Sequence, residues 1–356
     1  MEIEVKKSLL ISVTVTLLLA ASIWIGSRNL AHFDAALMGY TFASLFAAFA
    51  VAYRYSIWIQ RPPTALYWRR GWELIFKKEH FFSNLKFIVG RILAIIGGNS
   101  FIFRRSKARG IAHWLIMWGC IIAIAITFPL VFGWLYFIVP PEDFSSYQIV
   151  VFGFPSLGFK YETSIGKLIF LGLVVASCLV ILGVMLAFRR RMRDRDAAVL
   201  QSFVEDILPL LLLFSVSITG LFLTVSYTWL KGYGYEFLSI FHAITVIFTL
   251  ISLPFGKFFH LFMRPAQFGV ILYKKIGKQK MKACDRCQSE FASEMHVKDL
   301  QLVQKQLGYA YELNNMTGHY QNICPRCRRI IFGIAQGRLW QEAQRKKDEN
   351  ENNSTF

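Results

Sequence analysis

Residues 237–262 read FLSIFHAITVIFTLISLPFGKFFHLF, a run with one lysine, no acid and two histidines, His242 and His260. It exceeds the roughly 20 residues needed to cross about 30 Å of hydrocarbon. The two histidines lie 18 positions apart. At about 100° per residue this spacing is about five whole turns, so a continuous helix points both rings from one face. At about 1.5 Å per residue the rings are separated by roughly 27 Å along the axis. One ring is then expected near the outer leaflet and the other at the cytoplasmic end. Ionisable groups inside a bilayer are expensive, and each one marks a functional hypothesis.

Five further apolar runs precede this one, at about 8–27, 35–58, 111–137, 164–188 and 203–227. A chain of 356 residues has room for two soluble domains, but 55% hydrophobic and only 17% charged residues argue against them. The expected fold is all-α integral membrane: a six-helix transmembrane bundle with a small cytoplasmic four-cysteine tail. The first run is long enough to span and lacks a clean small-residue cleavage site, so 1–33 reads as an extra N-terminal transmembrane helix rather than a signal peptide. Residues 34–265 form a five-span core. No inverted repeat is visible, and the midplane positions are mostly Leu, Ile, Phe and Ala, which argues against a transporter or channel.

The formal net charge of +18 is distributed unevenly. Between the second and third runs, segment 60–110 carries Arg61, Arg69, Arg70, Lys77, Lys78, Lys86, Arg91, Arg104, Arg105, Lys107 and Arg109 against Glu73 and Glu79. The link after the fourth run begins Arg189-Arg190-Arg191-Met192-Arg193, and the tail is basic as well, whereas the other links are nearly neutral. The positive-inside rule places both termini, the basic segment and the tail in the cytoplasm of a multi-pass protein of the inner (cytoplasmic) membrane. Basic residues beside apolar runs suit anionic lipid headgroups, and nucleic acid is set aside as a partner. Trp68, Trp72, Phe76, Phe81, Phe82, Phe87 and Ile88 interleave the charges of the basic segment. That pattern suits helices lying on the cytoplasmic leaflet, or a surface for docking a partner.

His113 enters the third run from the cytoplasmic side, where His260 leaves the sixth. Two imidazoles at one depth can close both faces of a haem iron, a site that carries electrons and binds no substrate. The alternative is a pair of interfacial or packing histidines.

From residue 281 the composition turns soluble. Cys284-Asp285-Arg286-Cys287 and Cys324-Pro325-Arg326-Cys327 form two C-x-x-C knuckles separated by 36 residues. Four thiolates in this arrangement suit tetrahedral zinc, with iron, an iron–sulfur cluster or plain thiols as alternatives. The module spans 281–332, and residues 346–356 are expected to be disordered. Cys120 and Cys178, inside apolar runs, read as packing residues.

On these residues the stretch from about 33 to 265 resembles the gamma subunit of respiratory nitrate reductase and its relatives in sulfite reductase and heterodisulfide reductase membrane complexes. In that family a five-span core holds two b-type haems, each by one histidine from the second core helix and one from the fifth. The resemblance assigns the spacing on the last helix to His242 and His260, and the first ligand of the second core helix to His113, within Gly110-Ile111-Ala112-His113-Trp114. It also assigns Lys167, which opens the fourth run, to the lysine of the family's quinol site; Asp206 and Gly220 fall where the next family helix carries such residues. The null alternative for Lys167 is an interfacial lysine reaching the headgroups.

The sequence departs from the family at Ala123, ten residues after His113, where the outer haem's second histidine is expected. The inner haem, on His113 and His260, carries over intact. His242 could instead ligate an outer haem with an unusual partner such as His32, hydrogen-bond a quinone, or pack. The resemblance implies a quinone- or quinol-linked electron-transfer subunit of an oxidoreductase complex, working with iron–sulfur or other redox subunits. A haem-free transporter, or a sensor or assembly factor acting through the cysteine module, is the competing class.

Overall fold

The computed structural model describes residues 2–30, 37–141, 143–193, 201–312 and 318–353. Helix makes up 75% of the structure, and the all-α expectation is corrected by two small antiparallel sheets. Among the described residues seven helices, one more than expected, are long and apolar enough to cross a membrane. They mark a multi-pass membrane protein. The additional helix is Lys78–Gly97, within the basic segment; it contains α4 (Phe81–Ile92), and the short α5 (Ser100–Phe103) follows it.

The chain divides into two compact units, Met1–Trp58 with Val89–Pro265, and Ile59–Ile88 with Ala266–Phe356. Much of the basic segment therefore groups with the tail, where the sequence reading joins all of it to the five-span core.

The first unit is built on α1 (Glu2–Gly26), α2 (Leu37–Gln60), α6 (Lys107–Val131), α7 (Ser164–Arg193), α8 (Leu208–Thr228) and α9 (Tyr235–Ser252). Lipid gives helices no hydrophobic reason to associate, so close packing through small residues takes over. The α6–α7 seam shows this. A Cβ at Gly119 would meet Val180 Cγ2 at 2.6 Å, and one at Gly183 would meet Ile116 Cγ1 at 2.7 Å. Ala176 and Val184 in this seam are fully buried. α1 joins α2 through buried serines, with the Ser8 hydroxyl donating to Ser56 at 3.2 Å.

The expected sixth span is not one continuous helix. α9 ends at Ser252, a 3₁₀ turn occupies Gly256–Phe259, and α10 (His260–Gly277) begins at the second histidine. Pro254 has no N–H to give and crowds the preceding turn, and Gly256 takes φ +62°. The in-phase relation of His242 and His260 across an unbroken helix is therefore corrected.

Between α6 and α7 the expected loop forms a three-stranded sheet in the order β1 (Leu135–Ile138), β2 (Ser146–Val151), β3 (Phe154–Lys160). Val151 pairs with Phe154 across a two-residue turn in which Phe152 has φ +49° and Gly153 φ +87°. Two positive φ values match the primed turn that follows the natural twist of a hairpin.

In the second unit, α3 (Thr64–Ile75) lies close to α10, since a Cβ on Gly71 would come within 3.0 Å of Gly269 Cα. α11 (Glu294–Gln306) adds Asp299, only 2% exposed. The Asp299 carboxylate accepts from Arg70 Nη2 at 3.0 Å and Nε at 3.3 Å, and from the Tyr273 hydroxyl at 2.8 Å. The Tyr67 ring meets Tyr273 edge-on at 5.3 Å, and its hydroxyl lies 3.3 Å from His296 Nδ1. The final helix, α12 (Pro325–Asn353), continues through residues 346–353, for which the sequence reading expects disorder.

Candidate functional site

His113 sits in the second turn of α6 and His260 opens α10. The structure brings them together, with ring centroids 6.5 Å apart and planes at 57°. Metal–imidazole bonds run about 2.0–2.1 Å, so two rings on opposite sides of one metal ion have centres roughly 6 Å apart. The observed spacing fits such a pair, while direct ring stacking would be closer.

The Nδ1 atom of each ring is already engaged. The Asn99 amide nitrogen Nδ2 lies 2.6 Å from His113 Nδ1, and His260 Nδ1 is hydrogen-bonded to the Lys257 carbonyl. An imidazole that donates from Nδ1, as His260 does to the carbonyl, keeps Nε2 for a metal, and His113 does the same when the Asn99 amide presents its oxygen. Sequence reasoning missed Asn99. The available signal was the turn-prone triplet Gly97-Gly98-Asn99, and Asn99 takes φ +50°, a conformation that Asn tolerates better than most residues.

His242 lies apart from this pair in the bonding it makes. Its Nδ1 is 2.8 Å from the Thr219 hydroxyl, and a Cβ at Gly220 would stand 3.5 Å from its Cε1. No second imidazole contacts it among the described residues. His32, named as an unusual partner, lies outside them. Lys167 is exposed in the first turn of α7, and its amine contacts no acceptor among the described residues.

The two cysteine knuckles converge. All four sulfurs lie within 4.8 Å of one another, and Cys287 Sγ is 3.8 Å from Cys324 Sγ. A tetrahedron with metal–sulfur bonds of about 2.3 Å has edges of about 3.8 Å, so the four thiols can hold a metal ion. Local folding explains the convergence. The first knuckle is the turn of the hairpin β4 (Met281–Ala283) and β5 (Glu290–Ser293). Gln288 closes it at φ +58°, a left-handed conformation that glycine takes more readily. The second knuckle is the first turn of α12, with Pro325 at the position that needs no N–H.

Backbone N–H groups aim at the sulfurs, Cys324 N at Cys284 Sγ (3.2 Å) and Cys327 N at Cys324 Sγ (3.4 Å). Burial pushes the Cys284 thiol up, but N–H groups of Cys324, Cys287 and Arg286 outweigh it and bring the thiol down to about 6. The Ser289 hydroxyl draws Cys287 down in the same direction. Burial and the neighbouring sulfurs push Cys327 up to about 12. His296 and His319 lie between the knuckles in sequence but serve other bonds, to Tyr67 and to Gln321 N.

The chain matches no family model, and comparisons with curated proteins and with solved structures return no match either.

Proposed function

We propose that this chain is a haem b-containing membrane subunit, similar to the gamma subunit of respiratory nitrate reductase, that passes electrons between the quinone pool and a redox partner complex. The observation that carries this reading is the His113–His260 pair, spaced at 6.5 Å with both Nδ1 atoms engaged. A haem bound there supplies one-electron chemistry, and two imidazole ligands leave no open position for substrate. The chain's own residues supply the ring spacing and a hydrogen-bond partner for each Nδ1, the Asn99 amide and the Lys257 carbonyl.

One haem per chain is the reading these residues favour. His242 is held by Thr219 and faces no described second ligand. Its Nε2 and the Lys167 amine are then the groups available to hydrogen-bond a quinone near the outer ends of α7 and α9.

In this reading six helices cross the inner membrane and both termini are cytoplasmic. Lys78–Gly97 lies on the leaflet, because Lys78, Glu79, Lys86 and Arg91 interrupt it from its start to Arg91. The cysteine cluster holds zinc as a cytoplasmic docking module for iron–sulfur or other redox subunits.

The test is a dithionite-reduced minus oxidised spectrum of the purified full-length protein, with haem quantified per chain. The expected result is a low-spin b-type spectrum near one haem per chain, lost in His113→Ala and in His260→Ala and kept in His242→Ala. A wild-type protein without such a spectrum, or full retention in both ligand variants, overturns the reading.

A further inference from the structure

The turn before α6 is fastened to that helix at three points. Trp114 Nε1 and Trp118 Nε1 both donate to the Gly97 carbonyl, at 3.0 and 3.2 Å, and Asn99 reaches His113. Asn99 is 4% exposed and sits at φ +50°. Glycine fits that backbone without strain, so the backbone alone does not call for an amide. Burial of an amide is costly unless it is paired, and its partner here is an imidazole.

His260 is held from the other side. Its Nδ1 partner is the carbonyl of Lys257, inside the 3₁₀ turn Gly256–Phe259. The Lys257 ammonium in turn pairs with Asp206, whose Oδ2 accepts from Ser202 N at 3.2 Å. Arg191 closes the group, donating to the Asp206 carbonyl at 2.9 Å and lying 3.8 Å from its Oδ1. The turn that carries the His260 acceptor is thereby tied to the ends of α7 and α8.

We propose that Asn99 and the Asp206–Lys257 pair are positioning residues for the two imidazoles, and that haem loading goes with a turn of the Asn99 amide that presents its oxygen, so that each ring carries its proton on Nδ1 and leaves its Nε2 lone pair free for iron. The proposal rests on the haem reading above. A neutral imidazole has one donor and one acceptor nitrogen, and the partner at one decides the state of the other. A backbone carbonyl can only accept, so His260 is fixed as an Nδ1–H donor. The Asn99 amide offers either an oxygen or an NH₂ group. With its oxygen turned to His113 it accepts, and His113 becomes a ligand of the same kind. With its NH₂ turned inward, the orientation in the structure, the proton sits on Nε2 and the ring cannot ligate. Asn99 thus couples ligation of His113 to the orientation of one amide.

Three variants of the full-length haem-loaded protein test this: Asn99→Asp, Asn99→Gly and Asp206→Asn. Aspartate keeps the shape of asparagine and can only accept. It strengthens the pull on the Nδ1 proton, makes the ligand more basic and lowers the haem midpoint potential. Glycine suits the backbone and removes the acceptor. It raises the potential and weakens haem affinity by about 10–100-fold, the usual cost of losing an outer partner. Asp206→Asn frees Lys257 and changes the low-spin electron paramagnetic resonance g values, which report the angle between the axial rings, with haem content retained. Potentials that stay fixed, or that move the same way in both Asn99 variants, overturn the role of Asn99, and unchanged g values in Asp206→Asn overturn that of Asp206. In each case the wild-type haem is left standing. A wild type with no low-spin haem overturns the parent reading, and this proposal with it.

Discussion

Replacing Asp299 with alanine tests whether the tail module is fastened through its buried carboxylate. The carboxylate is 2% exposed and accepts from Arg70 twice and from Tyr273 once. Alanine leaves the Tyr273 hydroxyl without an acceptor in a residue that is only 3% exposed. An orphaned buried hydroxyl costs about 1–3 kcal/mol. Arg70 adds less. Its side chain is 37% exposed and it already pairs with Glu73 at 2.9 Å, so loss of this ion pair costs about 1 kcal/mol. The sum is about 2–4 kcal/mol, which for a unit of this size lowers the unfolding midpoint by on the order of 10 °C.

The assay is thermal unfolding of the full-length protein in detergent with zinc present, read by protease cleavage within residues 59–88 and 266–312. Tyr273→Phe removes one bond and its orphan together, so it should cost only about 1 kcal/mol. Asp299→Asn keeps an acceptor for Tyr273 and should fall between the two. The reasoning fails if Asp299→Ala stays within about 2 °C of the parent. It fails too if Tyr273→Phe costs as much as Asp299→Ala, because the tyrosine bond would then carry the whole effect.

Metal binding by the cysteine cluster should strengthen as pH rises, because the ligands must be deprotonated. Cys327, pushed up to about 12, still holds its proton at neutral pH, whereas Cys284, drawn down to about 6, has largely lost its own above that pH. The logarithm of zinc affinity should therefore climb by at least about one per pH unit between pH 6 and 8, steepening below 6. Zinc titration calorimetry in buffers of different ionisation enthalpy measures this, and a pH-independent affinity refutes it. Reporter fusions at the N-terminus, after Gly98 and at the C-terminus should all report the cytoplasm. If the reporter after Gly98 falls on the side opposite to the N-terminus, Lys78–Gly97 crosses the membrane as well as α1 and α2, and the six-span topology is wrong.

Apolar runs identify the long helices well, because crossing hydrocarbon needs a composition that few other structures tolerate. The cysteine knuckles were equally legible, since the two pairs carry their ligand geometry in short spacings. Lys78–Gly97 was harder to read as one helix, because charges interrupt its apolar positions. Segment 135–160 carried a hairpin signal at Phe152-Gly153 that a helical reading of the chain passes over. The Asp299 contacts were out of reach, because Arg70 stands 229 positions away and no local pattern pairs them.

The histidines show how a spacing can point to the right residues through the wrong geometry. Eighteen residues in phase on one helix makes His242 and His260 equivalent, but Pro254 and Gly256 break that helix before His260 is reached. The two rings consequently receive different supports. Thr219, on the adjacent transmembrane helix, holds His242, whereas the carbonyl of an ion-paired turn holds His260. A broken helix has a chemical use here. Inside a continuous helix the Lys257 carbonyl would be committed to the N–H four residues on, at Leu261. In the 3₁₀ turn it accepts from the backbone N–H of His260 and from the same residue's imidazole. The proline that removes the helical phase is therefore what lets the backbone hold His260 with Nε2 free, 6.5 Å from His113 ring centre to ring centre.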